Sequence, residues 1–413
     1  PSLAAALYRP MAGAGARGML QVAFGMTPQD PAFDAMREEY ETIVAAGFLL
    51  QLDCPDLAMS RHTGYQDMSE ADFVKVAAAN VEALNAASHH HRVGYITNNA
   101  SRTDEQVAQH LRELGLKVDA VDVVTSPQAA VPLLAELVSP GSTILVVGGD
   151  GLVNEVEKHG FTVTRSAEDN PAAVIQGFSP EVGWKQLAEA SYALNARPSA
   201  DAFGGTSGGQ GEGIPWVATN MDWTIPQERG VAPGNGTLVS AVHTAVGRLP
   251  VVAGKPELPI FIEAGRRFGV AEAPQKALFI GDRLDTDVMG GVRAGMKTAL
   301  VLTGIDQPKQ LLAAPAGSRP DYILSDLRDL DKPYPETVRH KNGAVTVGHA
   351  TVQKVGMDLV IEREGPEAGA WQHRAPGAPL NSDELDVLRA ACTVIWDSGL
   401  AIFGFNVPER LYL

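Results

Sequence analysis

The chain has 413 residues, enough for two to four domains, and its 45% hydrophobic and 20% charged content is that of an ordinary globular protein. A net charge of −16 excludes nucleic acid and an anionic membrane as main partners, so an anionic small molecule would have to be held by local positive groups or a metal. Two cysteines, Cys54 and Cys392, exclude a disulfide framework, and no apolar run approaches the length of a membrane helix or a signal segment, which predicts a cytoplasmic protein.

In chain order, Met36 to Phe48 reads as an amphipathic helix closed by Gly47. Leu49-Leu50-Gln51-Leu52 follows as an apolar strand that ends in Asp53-Cys54-Pro55-Asp56. The run Asp53-Cys54-Pro55-Asp56-Leu57-Ala58-Met59 with Arg61-His62 resembles a segment of the cobalamin-independent methionine-synthase-like family, whose fold is a β/α barrel. That likeness covers about 33–85, a small part of a barrel of about 250 residues. Cys54 and His62 are two zinc-type ligands where a zinc site takes roughly three or four, so methyl transfer is not expected. Val81 to Asn85 reads as a helix, and His89-His90-His91 reads as solvated loop, because consecutive side chains on an extended chain point different ways. The chain begins with Pro1, and a fusion, a mis-joined reading and a truncated chain all stay open as origins of this front segment.

From residue 89 strands and helices alternate, the pattern of an α/β sheet. Arg92 to Ile96 is a strand that ends in Thr97-Asn98-Asn99-Ala100-Ser101. A hydroxyl and backbone amides at a strand's carboxyl end suit phosphate oxygens. Thr103 with Gln106 predicts a capping box, with Val107, Leu111 and Leu114 on one helix face and Gly115 closing it. Ser142 to Val147 is a fully apolar strand. The Gly148-Gly149-Asp150-Gly151 turn after it lacks the spacing of a nucleotide loop and reads as a strand-to-helix turn. Ala202 to Gly213 reads as a flexible glycine- and serine-rich insertion. Asn220 and Asp222 suit either substrate contact or a structural turn, and Trp184 and Trp216 read as core or interface aromatics.

Val251-Val252-Ala253 leads into Gly254-Lys255-Pro256, where a lysine would oppose a phosphoryl group's charge. Ala277 to Ile280 then runs into Gly281-Asp282-Arg283-Leu284-Asp285-Thr286-Asp287, a glycine followed by three carboxylates that suit a hard cation such as magnesium. Asp329-Leu330-Asp331 reads as a polar loop. Beyond it, Val345, Val347 and Asp358 to Ile361 suggest strands. Glu384 to Trp396 suggests a helix capped by Asp383.

The order Thr97, Lys255, Gly281-Asp282-x-x-x-x-Asp287, with Trp216 to Asp222, Pro233 to Gly236 and Leu302-Thr303-Gly304, resembles the haloacid dehalogenase (HAD) superfamily. The resemblance lies in subfamily IIA, the NagD-like phosphatases, and covers about 89–330. It is similar to the actinobacterial glycerol-3-phosphate and phosphoglycolate phosphatases. It implies an α/β fold: a HAD-like Rossmannoid core with a parallel sheet, an inserted α/β cap of the C2 type and a small C-terminal extension. The implied borders are 1–88 for a front segment replacing the usual first strand, 89–138 and 233–330 for the core, 139–232 for the cap and 331–413 for the extension. The resemblance assigns catalytic roles to Thr97, Lys255 and Asp282. It assigns substrate contacts to Thr97, Asn98, Asn99 and Lys255, and Mg2+ to Asp282 and Asp287. A small phosphorylated metabolite is the implied partner, and a homodimer stays open.

The family's first motif, Asp-x-Asp-Gly-Thr after an apolar strand, is absent. Its two carboxylates attack phosphorus and serve as general acid and base. Asp53 and Asp56 are three positions apart rather than two, no Gly-Thr follows, and Pro55 removes a backbone donor. Asp329 and Asp331 have the spacing but no buried strand before them. The expectation is therefore an impaired phosphatase for esters of the glycerol 3-phosphate or 2-phosphoglycolate class. The rival readings are a phosphate-binding homologue without turnover and a chimeric chain with a remnant methyltransferase segment.

Overall fold

Apolar runs that end in glycine or a hydroxyl become parallel strands here, because strands buried on both faces tolerate no polar alternation. The computed structural model describes residues 49–52, 70–88, 91–196, 213–227, 230–368 and 380–412. The expected helix at Met36–Phe48, the Asp53 and Asp56 carboxylates, His62, His89, His90 and nearly all of the Ala202–Gly213 insertion lie outside the described residues. The elements begin with β1 (Leu49–Leu52), α1 (Glu70–Ser88), β2 (Val93–Thr97), α2 (Asp104–Glu113), β3 (Val123–Thr125) and α3 (Ser126–Ala135). There follow β4 (Thr143–Val147), α4 (Asp150–Lys158), β5 (Thr162–Thr164), β6 (Ala173–Gln176), α5 (Trp184–Asn195) and β7 (Trp216–Ala218). Next come β8 (Thr224–Gln227), β9 (Gly230–Pro233), α6 (Asn235–Val246), β10 (Val251–Val252), α7 (Leu258–Phe268) and β11 (Ala277–Gly281). The chain then runs through α8 (Met289–Arg293), β12 (Lys297–Val301), α9 (Pro308–Leu312), β13 (Tyr322–Leu324) and β14 (Thr337–Arg339). It ends with β15 (Val345–Val347), β16 (Ala350–Val355), β17 (Asp358–Arg363) and α10 (Ser382–Asp397).

Two compact units result. One takes the described residues up to Gly94, then Leu114–Lys117 and Val270 onward; the other takes Tyr95–Glu113 and Val118–Gly269. Thr97 and Lys255 fall in the second unit, together with β4 to β7 and β10.

In the first unit β1, β11, β12 and β13 lie side by side, all parallel. Leu49–Leu52 pairs with Ala277–Ile280 residue for residue. The apolar strand read from Leu49 to Leu52 is thus a member of the sheet, directly beside the strand that carries Gly281-Asp282. The antiparallel sheet β14-β15-β16-β17 and α10 share one hydrophobic core with this parallel sheet: Leu284, Val288, Leu300 and Ile323 cluster with Val347, Val352, Leu388 and Ile395. The C-terminal extension is therefore part of the folding unit of the acidic turn. The buried Arg389 reinforces the joint, donating twice to the Ile323 carbonyl at 3.0 and 2.7 Å while lying 4.3 Å from the Tyr334 ring centroid. Leu388 is fully buried, so Leu388→Ala is expected to destabilise this unit by about 2–5 kcal/mol, measured as the shift of its urea transition.

Asn381, rather than Asp383, caps α10: its side chain accepts from Glu384 N and Glu384 reaches back to Asn381 N, both at 2.9 Å. Asp383 instead accepts from Glu367 N and pairs with His349, and these contacts hold its carboxyl below the ordinary range. The expected polar loop at Asp329-Leu330-Asp331 is a 3-10 turn. Its Leu330 is buried, and Asp329 accepts from Ser325 N at 2.7 Å. Cys392 packs fully buried in α10, and burial pushes its thiol pKa up.

In the second unit β10-β7-β6-β4-β5 form a parallel sheet with α5 and α6 on one face. Trp216 belongs to the core under those helices, as read, whereas Trp184 opens α5 and is 76% exposed. β2 and β3 pair in parallel, and β8 with β9 makes a hairpin. Thr103 and Gln106 form the expected capping box at 2.9 and 3.2 Å. Gly148 and Gly149 make the expected strand-to-helix turn, with Gly149 capping α4. No described helix is long and apolar enough to cross a membrane.

Candidate active site

The acidic turn belongs to the first unit. β11 ends at Gly281, and the next residues wind into a π turn in which Val288 N reaches the Arg283 carbonyl at 3.0 Å. π turns displace side chains from the ordinary helical register and recur at functional positions. This one turns Asp287 back so that its Oδ2 accepts from Arg283 N at 3.1 Å. Asp287 is fully buried and Asp282 is 4% exposed. Any Cβ at Gly281 would overlap Asp287, and any Cβ at Gly304 would overlap Asp282, so the two carboxylates lie against bare backbone. Asp282 Oδ2 accepts from Ile305 N at 2.7 Å. Asp285, the third carboxylate of the run, is exposed and chelated by Arg283 at 3.0 and 2.8 Å, so it faces away from the buried pair.

Asp306, not singled out in the sequence, completes the turn. Its Oδ2 accepts from Leu284 N at 2.6 Å and its N–H donates to the Asp282 carbonyl at 3.1 Å. Burial pushes its carboxyl above the ordinary range; the Leu284 N–H opposes that rise, and Asp285 and Asp287 add to it. It lies two residues past the Leu302-Thr303-Gly304 stretch, a position that only the folded turn connects to Asp282. Hard carboxylate oxygens buried together fit a small divalent cation, and magnesium is typically bound by one or two carboxylates with waters and phosphate oxygens completing its shell. Among the described residues no group of three or more His, Cys, Asp or Glu side chains is arranged around one metal position. Of the three carboxylates in the run, Asp282 and Asp287 are the buried ones that could hold such an ion.

The second unit carries Thr97, Asn98, Asn99 and Lys255. Thr97 ends β2 and its Oγ1 accepts from Asn99 N at 3.1 Å. Asn99 Oδ1 accepts from Ser101 N and Arg102 N, both at 3.0 Å, an Asx turn that fixes the loop. Lys255 follows β10 and is 3% exposed. Asn98 Oδ1 accepts from Lys255 N at 2.8 Å, and Asn98 Nδ2 donates to the Lys255 carbonyl at 3.2 Å and to Asp222 Oδ1 at 3.0 Å. Ser126 Oγ and Asn220 Nδ2 both donate to the Asn98 carbonyl at 2.8 Å. Thr97, Asn98, Asn99 and Lys255 are thus gathered within one unit. The side chain of Asn98 and the Oδ1 of Asn99, expected to face a phosphate, are engaged by the loops themselves. Ser126, Asn220, Asp222 and Asn235 brace this arrangement. The Asn98–Asp222 contact spans 124 positions and leaves no local trace in the sequence.

One unit thus has strand-end loops with a hydroxyl and a buried lysine, and the other has buried carboxylates after a parallel strand, the layout of an α/β protein with polar groups at its strand ends. The haloacid dehalogenase-like hydrolase family matches residues 70–162, and a HAD-hydrolase-like family matches 252–330. The chain is 38% identical over 309 residues to the D-glycerol 3-phosphate phosphatase of Mycobacterium tuberculosis (strain ATCC 25618 / H37Rv), covering 74% of this chain and 78% of that one. It is 32% identical over 235 residues to an acid sugar phosphatase of Staphylococcus aureus, covering 57% and 82%. The glycerol phosphate phosphatase of M. tuberculosis in complex with magnesium superposes with a TM-score of 0.66 at 33% identity, covering 88% and 93%. A thermostable NPPase from Geobacillus stearothermophilus superposes at 0.54 and 26%, covering 69% and 98%. The chain belongs to the haloacid dehalogenase-like hydrolases, in the NagD-like group of phosphatases.

Proposed function

We propose that this chain is a magnesium-dependent phosphatase of small phosphomonoesters of the glycerol 3-phosphate or 2-phosphoglycolate class, and that its turnover is slow. The observation carrying the reading is the turn after β11, where Asp282 and Asp287 are buried against Gly304 and Gly281. Likeness to a glycerol 3-phosphate phosphatase over 78% of that protein supports the substrate class. Magnesium would supply positive charge against the phosphoryl oxygens. On this reading Asp282 and Asp287 would hold that ion, the Thr97 hydroxyl would donate to a phosphoryl oxygen, and the Lys255 ammonium would balance negative charge on the ester.

Slow turnover follows from the sequence at the end of β1. In the sequence β1 is followed by Asp53-Cys54-Pro55-Asp56, where the Asp-x-Asp-Gly-Thr motif would place an attacking carboxylate and an acid–base partner two residues on. One carboxylate is retained at the first position, and the second is displaced by one. Loss of correctly placed acid–base help typically costs about 10²–10⁴-fold in rate.

The test is phosphate release from glycerol 3-phosphate and 2-phosphoglycolate with and without magnesium. Slow, magnesium-dependent release from either ester is the expected result. Magnesium-dependent binding of inorganic phosphate with no release would favour the reading as a binding protein without turnover. Neither binding nor release would sink both.

A further inference from the structure

We propose that Asn98 and Asp222 form a positioning pair that sets Lys255 for its contact with the phosphoryl group. The proposal rests on the reading of Lys255 given above. Asn98 leaves the end of β2, Asp222 comes from the loop after β7, and Lys255 from the loop after β10. The Asn98 carboxamide meets Lys255 as a strand would, Oδ1 accepting from its N–H at 2.8 Å and Nδ2 donating to its carbonyl at 3.2 Å. Both peptide groups flanking the Lys255 Cα are therefore tied to one rigid planar group. The direction in which the side chain departs is fixed with them.

A carboxamide can satisfy a neighbouring N–H and C=O only in one of its two flipped orientations. Asp222 selects it. Its carboxylate accepts and never donates, so the NH2 of Asn98 must face it, at 3.0 Å. In the flipped orientation two oxygens would confront each other at Asp222, and two donors would confront each other at Lys255 N. The backbone that carries this carboxylate is tied in turn: Asp222 N donates to Asn220 Oδ1 at 3.1 Å, and Asn220 Nδ2 returns to the Asn98 carbonyl at 2.8 Å. Asn235 Nδ2 holds the Asn220 carbonyl at 2.8 Å from the first turn of α6. The Asn220–Asp222 turn, expected from sequence to suit either substrate or structure, acts here through Asn98 on the lysine.

Two readouts on the full chain test the pair. The first is hydrogen exchange at the Lys255 amide, which needs no turnover. Asn98→Ala and Asp222→Ala should each accelerate it by about tenfold or more, while amides in β4 and β6 keep their rates. Asp222→Asn, which can still present an oxygen to Asn98, should recover most of what Asp222→Ala loses. The second readout is steady-state phosphate release. kcat should fall roughly a hundredfold in Asn98→Ala and about tenfold in Asp222→Ala, KM should move far less, and the double variant should be no worse than Asn98→Ala.

Unchanged Lys255 exchange in Asp222→Ala, or losses that multiply in the double variant, would overturn the pair. Failure of the parent chain to release phosphate would instead count against the phosphatase reading, and the exchange data would still decide the pair.

Discussion

Asp282→Asn is expected to lower magnesium-dependent phosphate release by roughly a thousandfold, the loss of several kcal/mol of charge stabilisation at the phosphoryl group. The substitution is isosteric, and an amide oxygen can still accept the Ile305 N–H that Asp282 Oδ2 takes at 2.7 Å. The turn should therefore keep its shape while losing a charged donor for the metal. Two measurements separate these effects. Release with and without magnesium reads the chemistry. Thermal melting with and without magnesium reads binding, because a ligand of the folded state raises its stability. The parent should melt higher with magnesium and Asp282→Asn should not. Asp285→Asn is the internal control: Asp285 is exposed and pairs with Arg283, so release should change by less than about twofold. Asp282→Asn that retains release, or Asp285→Asn that loses it, would move the metal away from the buried pair.

The proposed choice of Asp282 and Asp287 over Asp285 rests, in the sequence, on family resemblance alone. Spacing alone offers three carboxylates in six residues and no reason to discard the middle one. The fold discards it through the π turn, which buries Asp287 and leaves Asp285 to Arg283. Local signals read well where the chemistry is local. The Thr103 and Gln106 box, the strand from Thr143 to Val147 and the closing Gly115 are all where short-range rules put them.

The helix cap near residue 382 shows the limit of such rules. Asn381 and Asp383 are both good caps, and what selects Asn381 is Glu384 three residues beyond it, while Asp383 is drawn to His349 and Glu367. Contacts across long separations were not legible. The clamp on Lys255 joins positions 98, 222 and 255, and the shared core of α10 with β12 and β13 depends on which faces meet. The same holds at the front of the chain. Leu49 to Leu52 was readable as an apolar strand, but its neighbour was not. The pairing of β1 with β11 joins positions more than two hundred residues apart, which no local pattern announces.

That pairing makes a gain of activity the sharpest consequence of the structure. Leu52 is in register with Ile280, one residue before the Gly281-Asp282 turn, so the chain leaves β1 level with the start of that turn. Asp53 is the next residue, and it and its successors lie outside the described residues. If slow turnover reflects a misplaced second carboxylate and nothing more, three substitutions remove the defect: Pro55→Asp, Asp56→Gly and Leu57→Thr. They turn Asp53-Cys54-Pro55-Asp56-Leu57 into an Asp-x-Asp-Gly-Thr motif without altering β1. Pro55→Asp also restores a backbone N–H, and Asp56→Gly gives the turn the freedom that a non-glycine residue lacks.

The triple variant is expected to raise kcat for phosphate release by about 10²–10⁴-fold, the usual contribution of a well-placed general acid and base. Adding Asp53→Asn should abolish that gain, because the attacking carboxylate would be gone. Burst kinetics at high enzyme concentration give the second measure: phosphoryl transfer to a carboxylate should appear as acid-stable, base-labile label on the protein. A triple variant that folds, binds magnesium and releases phosphate no faster than the parent would show that the strand before Asp53 does not deliver the nucleophile. The slow-phosphatase reading would then yield to that of a protein that holds a phosphate ligand without cleaving it.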